Sequence, residues 1–276
     1  MPADLHVHSY YSDGLLSPEE IVLSAKANGV GLISVTDHDC ALGFDEVYKS
    51  CARLGIKTVR GIEISAYEGD LKIHMLGYNF DAENPVFRAF SKRLYDGSIA
   101  RAEDIISKLN KNGVGISVGE VYDCRKTASS PVHVMHIARA CAKKGYCGGN
   151  AFTFFSKYLA FGRCAYSGIN RPSPEEAICA VNACGGFASL AHPGRIETGR
   201  EELYVLISKL CGCGLGGIEA VYPAHTVSET AYYKEIARTF SLAVTGGSDT
   251  HIAGGNRKIG SPYFEPDAVL AQKLSI

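Results

Sequence analysis

His6 and His8 stand two residues apart in the run Asp4 to His8. If that run is a strand, alternation puts both imidazoles on one face, within reach of a single cation. An H-x-H pair alone is commonly a surface or core feature, so the weight comes from its neighbours. Asp13 follows in a glycine-containing loop, and Asp37-His38-Asp39 stands directly after the apolar run Leu32 to Val35. Glu63 follows Val59 to Ile62, His74 alternates with Ile73 and Met75, and His192-Pro193 closes the run Phe187 to Ala191. Asp249 and His251 follow Val244 to Ser248. A purely structural role would have to account for six of the nine histidines at once. Mixed nitrogen and oxygen donors suit Zn, Mn or Fe better than Ca.

The elements that must position these residues read as β/α alternation. Strand-like runs are expected at Asp4 to His8, Gly31 to Thr36, Thr58 to Ile62 and Lys72 to Tyr78, with helices at Ser17 to Asn28 and Gly43 to Leu54. Ser17-Pro18-Glu19-Glu20 has a capping serine, a first-turn proline and a capping-box glutamate, and Ser173-Pro174-Glu175-Glu176 repeats the device. A helical region from Pro85 to Asn112, then Pro131 to Lys144, contains no clear strand. After Ser173 the alternation resumes, with strands at Gly186 to Leu190, Gly217 to Val221 and Leu242 to Thr245 and one more near Ile259. The economical architecture is a parallel β/α barrel with the site at the strands' C-terminal ends. Residues 1–81 and 173–276 would form it, and residues 82–172 would be a mainly helical insertion covering the site.

Composition narrows the partners. The 276 residues are 46% apolar, and 28 basic against 29 acidic side chains leave a net charge of -1. Such a chain offers no general field for long nucleic acid or an anionic membrane, so any anionic substrate must be held locally. No apolar stretch approaches the ~20 residues of a membrane span, and MPADLHVHSYYSDG lacks the basic and apolar regions of a signal peptide, so a cytoplasmic location is expected. The ten cysteines contain no C-x-x-C pair and read as reduced core thiols.

The segments DLHVHSYYSDG, VTDHD, GIE, KIHMLGY, LAHPG, GIEAVYP and GGSDTH, in that order, resemble the polymerase and histidinol phosphatase (PHP) family of metal-dependent phosphoesterases. The likeness runs over nearly the whole chain. It is greatest to the branch that hydrolyses nucleoside 3′,5′-bisphosphates and trims short oligonucleotides from the 5′ end. The resemblance implies an α/β fold, a distorted (β/α)7 TIM-like barrel, with two to three divalent ions (Mn, Zn or Fe) at its mouth. Carried over residue by residue, it implies His6, His8, Glu63 and Asp249 at a first ion. Glu63 bridges to a second with His74 and His192, and Asp13, His38 and His251 hold a third. The reaction implied is in-line displacement at phosphorus by a metal-bridging hydroxide, with no protein nucleophile.

Asp37 is then expected to orient a ligand rather than to bind metal. Glu219 either orients a ligand or ends its strand. Arg101, within a helix resembling the family's arginine-bearing insertion segment, Lys157 and His225 are the leading substrate contacts, with Arg163 and Arg195 behind them. Relatives commonly read Arg-Pro-His before Ile-Ala-Arg, where this chain has Val134-Met135-His136, and Ser98 stands where many have another Arg. Less positive charge near the pocket would change which phosphate is recognised. The alternatives are histidinol-phosphate phosphatase and a non-catalytic, metal-stabilised scaffold.

Overall fold

Each expected cap is in place. In the computed structural model, which describes residues 1–276, Ser17 and Glu20 form a reciprocal capping box, and so do Ser173 and Glu176. The elements run β1 (Ala3–Val7), α1 (Pro18–Ala27), β2 (Leu32–Val35), α2 (Phe44–Leu54), β3 (Lys57–Thr58), β4 (Gly61–Glu68) and β5 (Leu71–Tyr78). The strand-free middle holds α3 (Pro85–Lys111), α4 (Val118–Tyr122), α5 (Val134–Lys143) and α6 (Ala151–Phe154). Then come α7 (Pro174–Asn182), β6 (Phe187–Leu190), α8 (Arg200–Gly212), β7 (Gly217–Val221), α9 (Val227–Thr239), β8 (Ala243–Gly246) and α10 (Ala268–Leu274).

The strands form a three-stranded sheet ordered β1-β2-β3 and a five-stranded sheet ordered β4-β5-β6-β7-β8. Two isolated parallel bridges, Val7 to Thr250 and His38 to Glu63, connect their margins, and no continuous ladder closes a ring. The expected all-parallel order fails at one place. β4 and β5 pair antiparallel from Gly61 opposite Tyr78 to Glu68 opposite Leu71, and β5 also runs antiparallel to β6. Only Gly69 and Asp70 join β4 to β5, which is a hairpin connection and too short for a parallel crossover. The expected strand at Thr58 to Ile62 is divided between the sheets as β3 and the start of β4. The expected strand near Ile259 does not form. There the Gly260 N–H donates to Asp4 Oδ2 and the Ser261 N–H to the Lys258 carbonyl, so that backbone is committed to a turn.

Twenty-eight buried apolar residues fill the space between the five-stranded sheet and α7, α8, α9 and the first half of α3. A smaller cluster packs β1 and β2 against α1 and α2. Residues between 102 and 165 pack chiefly among themselves, in a separate cluster of sixteen that includes Ile105, Leu109, Ile137 and Phe154. At roughly 1.5–3 kcal/mol per large buried side chain, each cluster is substantial enough to hold its helices in place.

Candidate metal centre

Because all five residues of β1 and His8 just after it are buried, the imidazoles of His6 and His8 cannot swing out to solvent. Their Nε2 atoms both face Glu63 Oε2, at 3.2 and 3.1 Å. Glu63 stands near the start of β4, not at its C-terminal end, and His74 lies in the middle of the antiparallel β5. The hairpin register pairs Ser65 with His74, which makes Glu63 and His74 diagonal neighbours on one face. His74 Nδ1 is accordingly 2.6 Å from Glu63 Oε1, and His192 Nε2 lies 2.9 Å from the same oxygen. One carboxylate thus stands at the meeting point of five histidines, since His38 Nδ1 is 3.2 Å from Oε2.

Asp249 divides its two oxygens. Oδ1 faces His8 Nε2 at 3.2 Å and His6 Nε2 at 3.6 Å, while Oδ2 accepts from the Tyr222 hydroxyl at 2.8 Å and from Arg257. Asp13 Oδ1 lies 3.3 Å from His251 Nε2. All nine residues picked out by type and spacing therefore converge on one cleft. Donor atoms within 4.8 Å of one another fall into three overlapping groups: His6-His8-Glu63-Asp249, His8-Asp13-His38-His251 and His38-Glu63-His74. The first agrees with the expected set. The others differ in detail, because His38 stands between Glu63 and Asp13 and His8 borders two groups, while Glu63 is the only carboxylate that a His192 ring nitrogen meets.

These donors fit cations. Eight buried side-chain nitrogen or oxygen atoms here have no hydrogen-bond partner: His6 Nε2, both His8 nitrogens, Asp13 Oδ1, His38 Nδ1, Glu63 Oε2, His74 Nε2 and His192 Nδ1. Buried polar atoms are rarely left unpaired, so their concentration at one point marks a place for something else. Burial pushes His38 and His74 well below the usual imidazole range, toward the neutral form that ligates metals. Burial would raise the carboxyls of Asp13, Glu63 and Asp249, but the surrounding imidazoles hold all three well below their ordinary value. His8 is opposed by burial yet carried up to about 10 by its contacts with Asp249 and Glu63.

Buried groups behind the donors hold them. Glu219 Oε1 accepts from His6 Nδ1 at 2.9 Å, which turns Nε2 toward the centre, and its Oε2 accepts from the His192 N–H at 2.7 Å. Of the two roles open to Glu219, orienting is the one its contacts support. Asp37 accepts from the Ser9 N–H at 2.8 Å and from the Ser9 and Ser12 hydroxyls at 2.6 Å, so it shapes the loop carrying Asp13 and touches no imidazole. Asp4 accepts from the Ser248 N–H at 2.9 Å and fixes the loop leading into Asp249. Asp39, His192 and Asp249 all take left-handed φ values, 57, 27 and 50°, which non-glycine residues adopt at a cost that surrounding contacts must offset.

The cleft has a volume of about 510 Å3 and carries Lys72, Arg139, Arg195 and Arg257 on its walls. Burial in the cleft and the neighbouring Arg171 lower Lys72 to about 8, although its side chain still reaches solvent. Of the residues expected to touch substrate, Arg195 lines this cleft and the other four do not. Arg101 is 3% exposed and sits beside Arg171 and Asp39, away from the cleft wall. Lys157 is exposed beside the Tyr158 ring, and Arg163 is exposed in the segment after it. His225 lines a neighbouring cleft, where its Nε2 accepts from the Gly194 N–H at 3.2 Å and its Nδ1 meets the Ala220 carbonyl at 3.1 Å.

Sequence reasoning missed His133, whose Nδ1 is 3.0 Å from Asp13 Oδ2 and whose ring stacks on His38 at 4.7 Å. His136 lies behind it and accepts from the His133 N–H at 3.0 Å. Met135 also lines the cleft. Lys72 was also legible in principle, two residues before His74 and hence on the same strand face. Arg257 and Tyr222 had no local signal, because only the fold brings them to Asp249.

The PHP domain family model matches residues 4–119. Over 259 residues the chain is 32% identical to a 3′,5′-nucleoside bisphosphate phosphatase of Chromobacterium violaceum, covering 93% of this chain and 90% of that one. It is also 32% identical to a phosphoribosyl 1,2-cyclic phosphate 1,2-diphosphodiesterase of Eggerthella lenta (91% and 94% covered) and to a 5′-3′ exoribonuclease of Haemophilus influenzae (97% and 96%). A solved Chromobacterium violaceum structure, described as an amidohydrolase with bound sulfate, superimposes with a TM-score of 0.88 at 29% identity, covering 99% of this chain and 95% of that one. The chain belongs to the PHP domain family.

Proposed function

We propose that this protein is a metal-dependent phosphoesterase that hydrolyses phosphate esters of nucleotides, either nucleoside 3′,5′-bisphosphates or short 5′-phosphorylated oligonucleotides. The observation that carries the proposal is the convergence of nine histidine and carboxylate side chains, with eight unpartnered buried atoms, in a cleft whose walls also bear four cationic side chains. His6, His8, Asp13, His38, Glu63, His74, His192, Asp249 and His251 would hold two to three divalent ions. Such ions, when bound, polarise phosphoryl oxygens and make water more acidic. The remaining work belongs to the chain. Lys72, Arg139, Arg195 and Arg257 orient the anionic ester, and Tyr222 and Arg257 fix Asp249. Phe152, 60% exposed at the cleft wall, offers an aromatic face to a base. No serine or cysteine is among the residues lining the cleft, which supports direct hydrolysis without a covalent intermediate.

The same reading takes residues 1–81 and 173–276 as one distorted seven-stranded barrel, supported by the two bridges between the sheets. Residues 82–172 are its helical insertion, supported by their separate apolar cluster and by His133, Arg139 and Phe152 in the cleft wall. No helix is long and apolar enough to cross a membrane, in keeping with a cytoplasmic enzyme acting on small phosphorylated substrates. The test is phosphate release by manganese-reconstituted protein from adenosine 3′,5′-bisphosphate, AMP, a 5′-phosphorylated dinucleotide, a ribose 1,2-cyclic phosphate ester and histidinol phosphate, before and after chelation. Chelator-sensitive turnover of the bisphosphate or the dinucleotide is expected. Turnover of histidinol phosphate alone, or of none of the panel by metal-loaded protein, would overturn the proposal.

A further inference from the structure

A second cleft, of about 500 Å3, lies on the other side of Asn256 and Arg257, and these two residues line both clefts. Its walls come from α9, from the segment after β7 and from the loop between β8 and α10. Lys234, Arg257 and Lys258 are among its thirteen lining residues, and none of the thirteen is acidic. Elsewhere on the surface Lys209 is neutralised by Glu68 and Glu175, whereas Lys234 and Lys258 form no ion pair. On a chain of net charge -1, an acid-free cleft with two unpaired lysines is a local anion site. Its rim also carries Tyr263, 68% exposed, and Val227, 90% exposed, so planar and apolar surface stands beside the cations. His225 contributes a wall but no free donor, since a ring that accepts from Gly194 at Nε2 carries its proton at Nδ1, toward the Ala220 carbonyl.

We infer that this second cleft binds the continuation of an oligonucleotide whose scissile ester lies at the metal centre, with the next phosphate against Lys234 and Lys258 and the next base against Tyr263. The inference rests on the phosphoesterase reading and adds to it a preference for short oligonucleotides over mononucleotides. Arg257 is the reason the two clefts act together. Its Nη1 is held by Asp249 and its Nη2 donates to the Tyr222 hydroxyl at 2.6 Å, so a fixed guanidinium stands where the strand must cross from one cleft to the other. Cationic tracking of the backbone combined with aromatic stacking is how single strands are held without regard to sequence.

The test uses the full chain, a Lys234→Ala/Lys258→Ala double variant and Tyr263→Ala, none of which alters the metal centre. For a 5′-phosphorylated trinucleotide, KM should rise about tenfold in the double variant and roughly fivefold or more in Tyr263→Ala, while KM for a nucleoside 3′,5′-bisphosphate stays within about twofold. Chelator-treated protein is then titrated with a labelled trinucleotide at several salt concentrations. The slope of log K against log salt should shrink by about 0.7 in the double variant, because the one phosphate held by the two lysines is no longer neutralised. Equal losses on both substrates, or no loss on either, would overturn the inference and leave the phosphoesterase reading standing. Lysine-dependent binding of the trinucleotide without hydrolysis of any substrate would instead sustain the cleft as an oligonucleotide site and defeat the phosphoesterase reading.

Discussion

His8 Nε2 faces Glu63 and Asp249, and neither of its ring nitrogens has a hydrogen-bond partner in the buried interior. Its side chain belongs to two of the three donor groups and to none of the apolar clusters. His8→Ala should therefore reduce hydrolysis to background and lower bound metal per chain, with the circular dichroism spectrum unchanged. Wild-type turnover in that variant would remove His8 from the centre. Glu219 acts one step further out, accepting from His6 Nδ1 with one oxygen and from the His192 N–H with the other. Glutamine keeps one acceptor and turns an NH2 group toward the second donor. Glu219→Gln should weaken metal binding by about 10–100-fold, read by competition against a chromogenic chelator. Unchanged affinity would reduce Glu219 to a strand terminus.

At the scale of elements, the segment between β8 and Asp249 is built around a close approach. A Cβ added at Gly247 would lie 2.5 Å from both the backbone nitrogen and the Cβ of His6, so β1 and this loop touch with no room for a side chain. Gly247→Ala must push β1 and Asp249 apart, with an expected cost of about 1–3 kcal/mol and a larger proportional loss of metal affinity than of stability. Denaturant titration alongside metal titration would separate the two, and an alanine variant with native metal affinity would show that the loop yields instead. This contact explains why some of the architecture was legible in the sequence and some was not. Capped helices and buried strands announce themselves through Ser-Pro-Glu-Glu and through apolar runs, because both depend on neighbours in sequence. The donors at or after β1, β2, β6 and β8 were legible because strand alternation and strand ends are local too, whereas Glu63, near the start of β4, and His74, inside antiparallel β5, stand at no strand's C-terminal end. The antiparallel β4–β5 pair was missed although Gly69-Asp70 is a two-residue hairpin signal, because the β/α alternation of the rest of the chain was extended through it. The burial of Arg101 on the inner side of α3 beside Arg171, and the placing of Arg257 at Asp249, depend on tertiary packing, which no spacing encodes.

Over the whole molecule, the centre joins residue 6 to residue 251 and draws on both sheets, on the loop after β2 and, through His133, on the segment containing α5. Without cations, three carboxylates and seven imidazoles are confined together, and eight of their atoms lack partners. Each such atom removed from water costs about 1–3 kcal/mol. Metal binding satisfies them only in the folded chain, because the ligands come from segments that are distant in the unfolded one, so the binding free energy adds to folding stability. A single site held at a hundred times its dissociation constant contributes about 2.7 kcal/mol. For a domain of this size, each kcal/mol moves the midpoint of thermal unfolding by about 2–4 °C, so chelation should lower Tm by roughly 5–11 °C, and by more where two or three ions leave together. Calorimetry on metal-loaded and chelated protein, with metal content measured on the same samples, gives the comparison. A Tm that is indifferent to removal of the ions would mean that the cluster is stable without them, and the assignment of its unpartnered atoms to metal would fall.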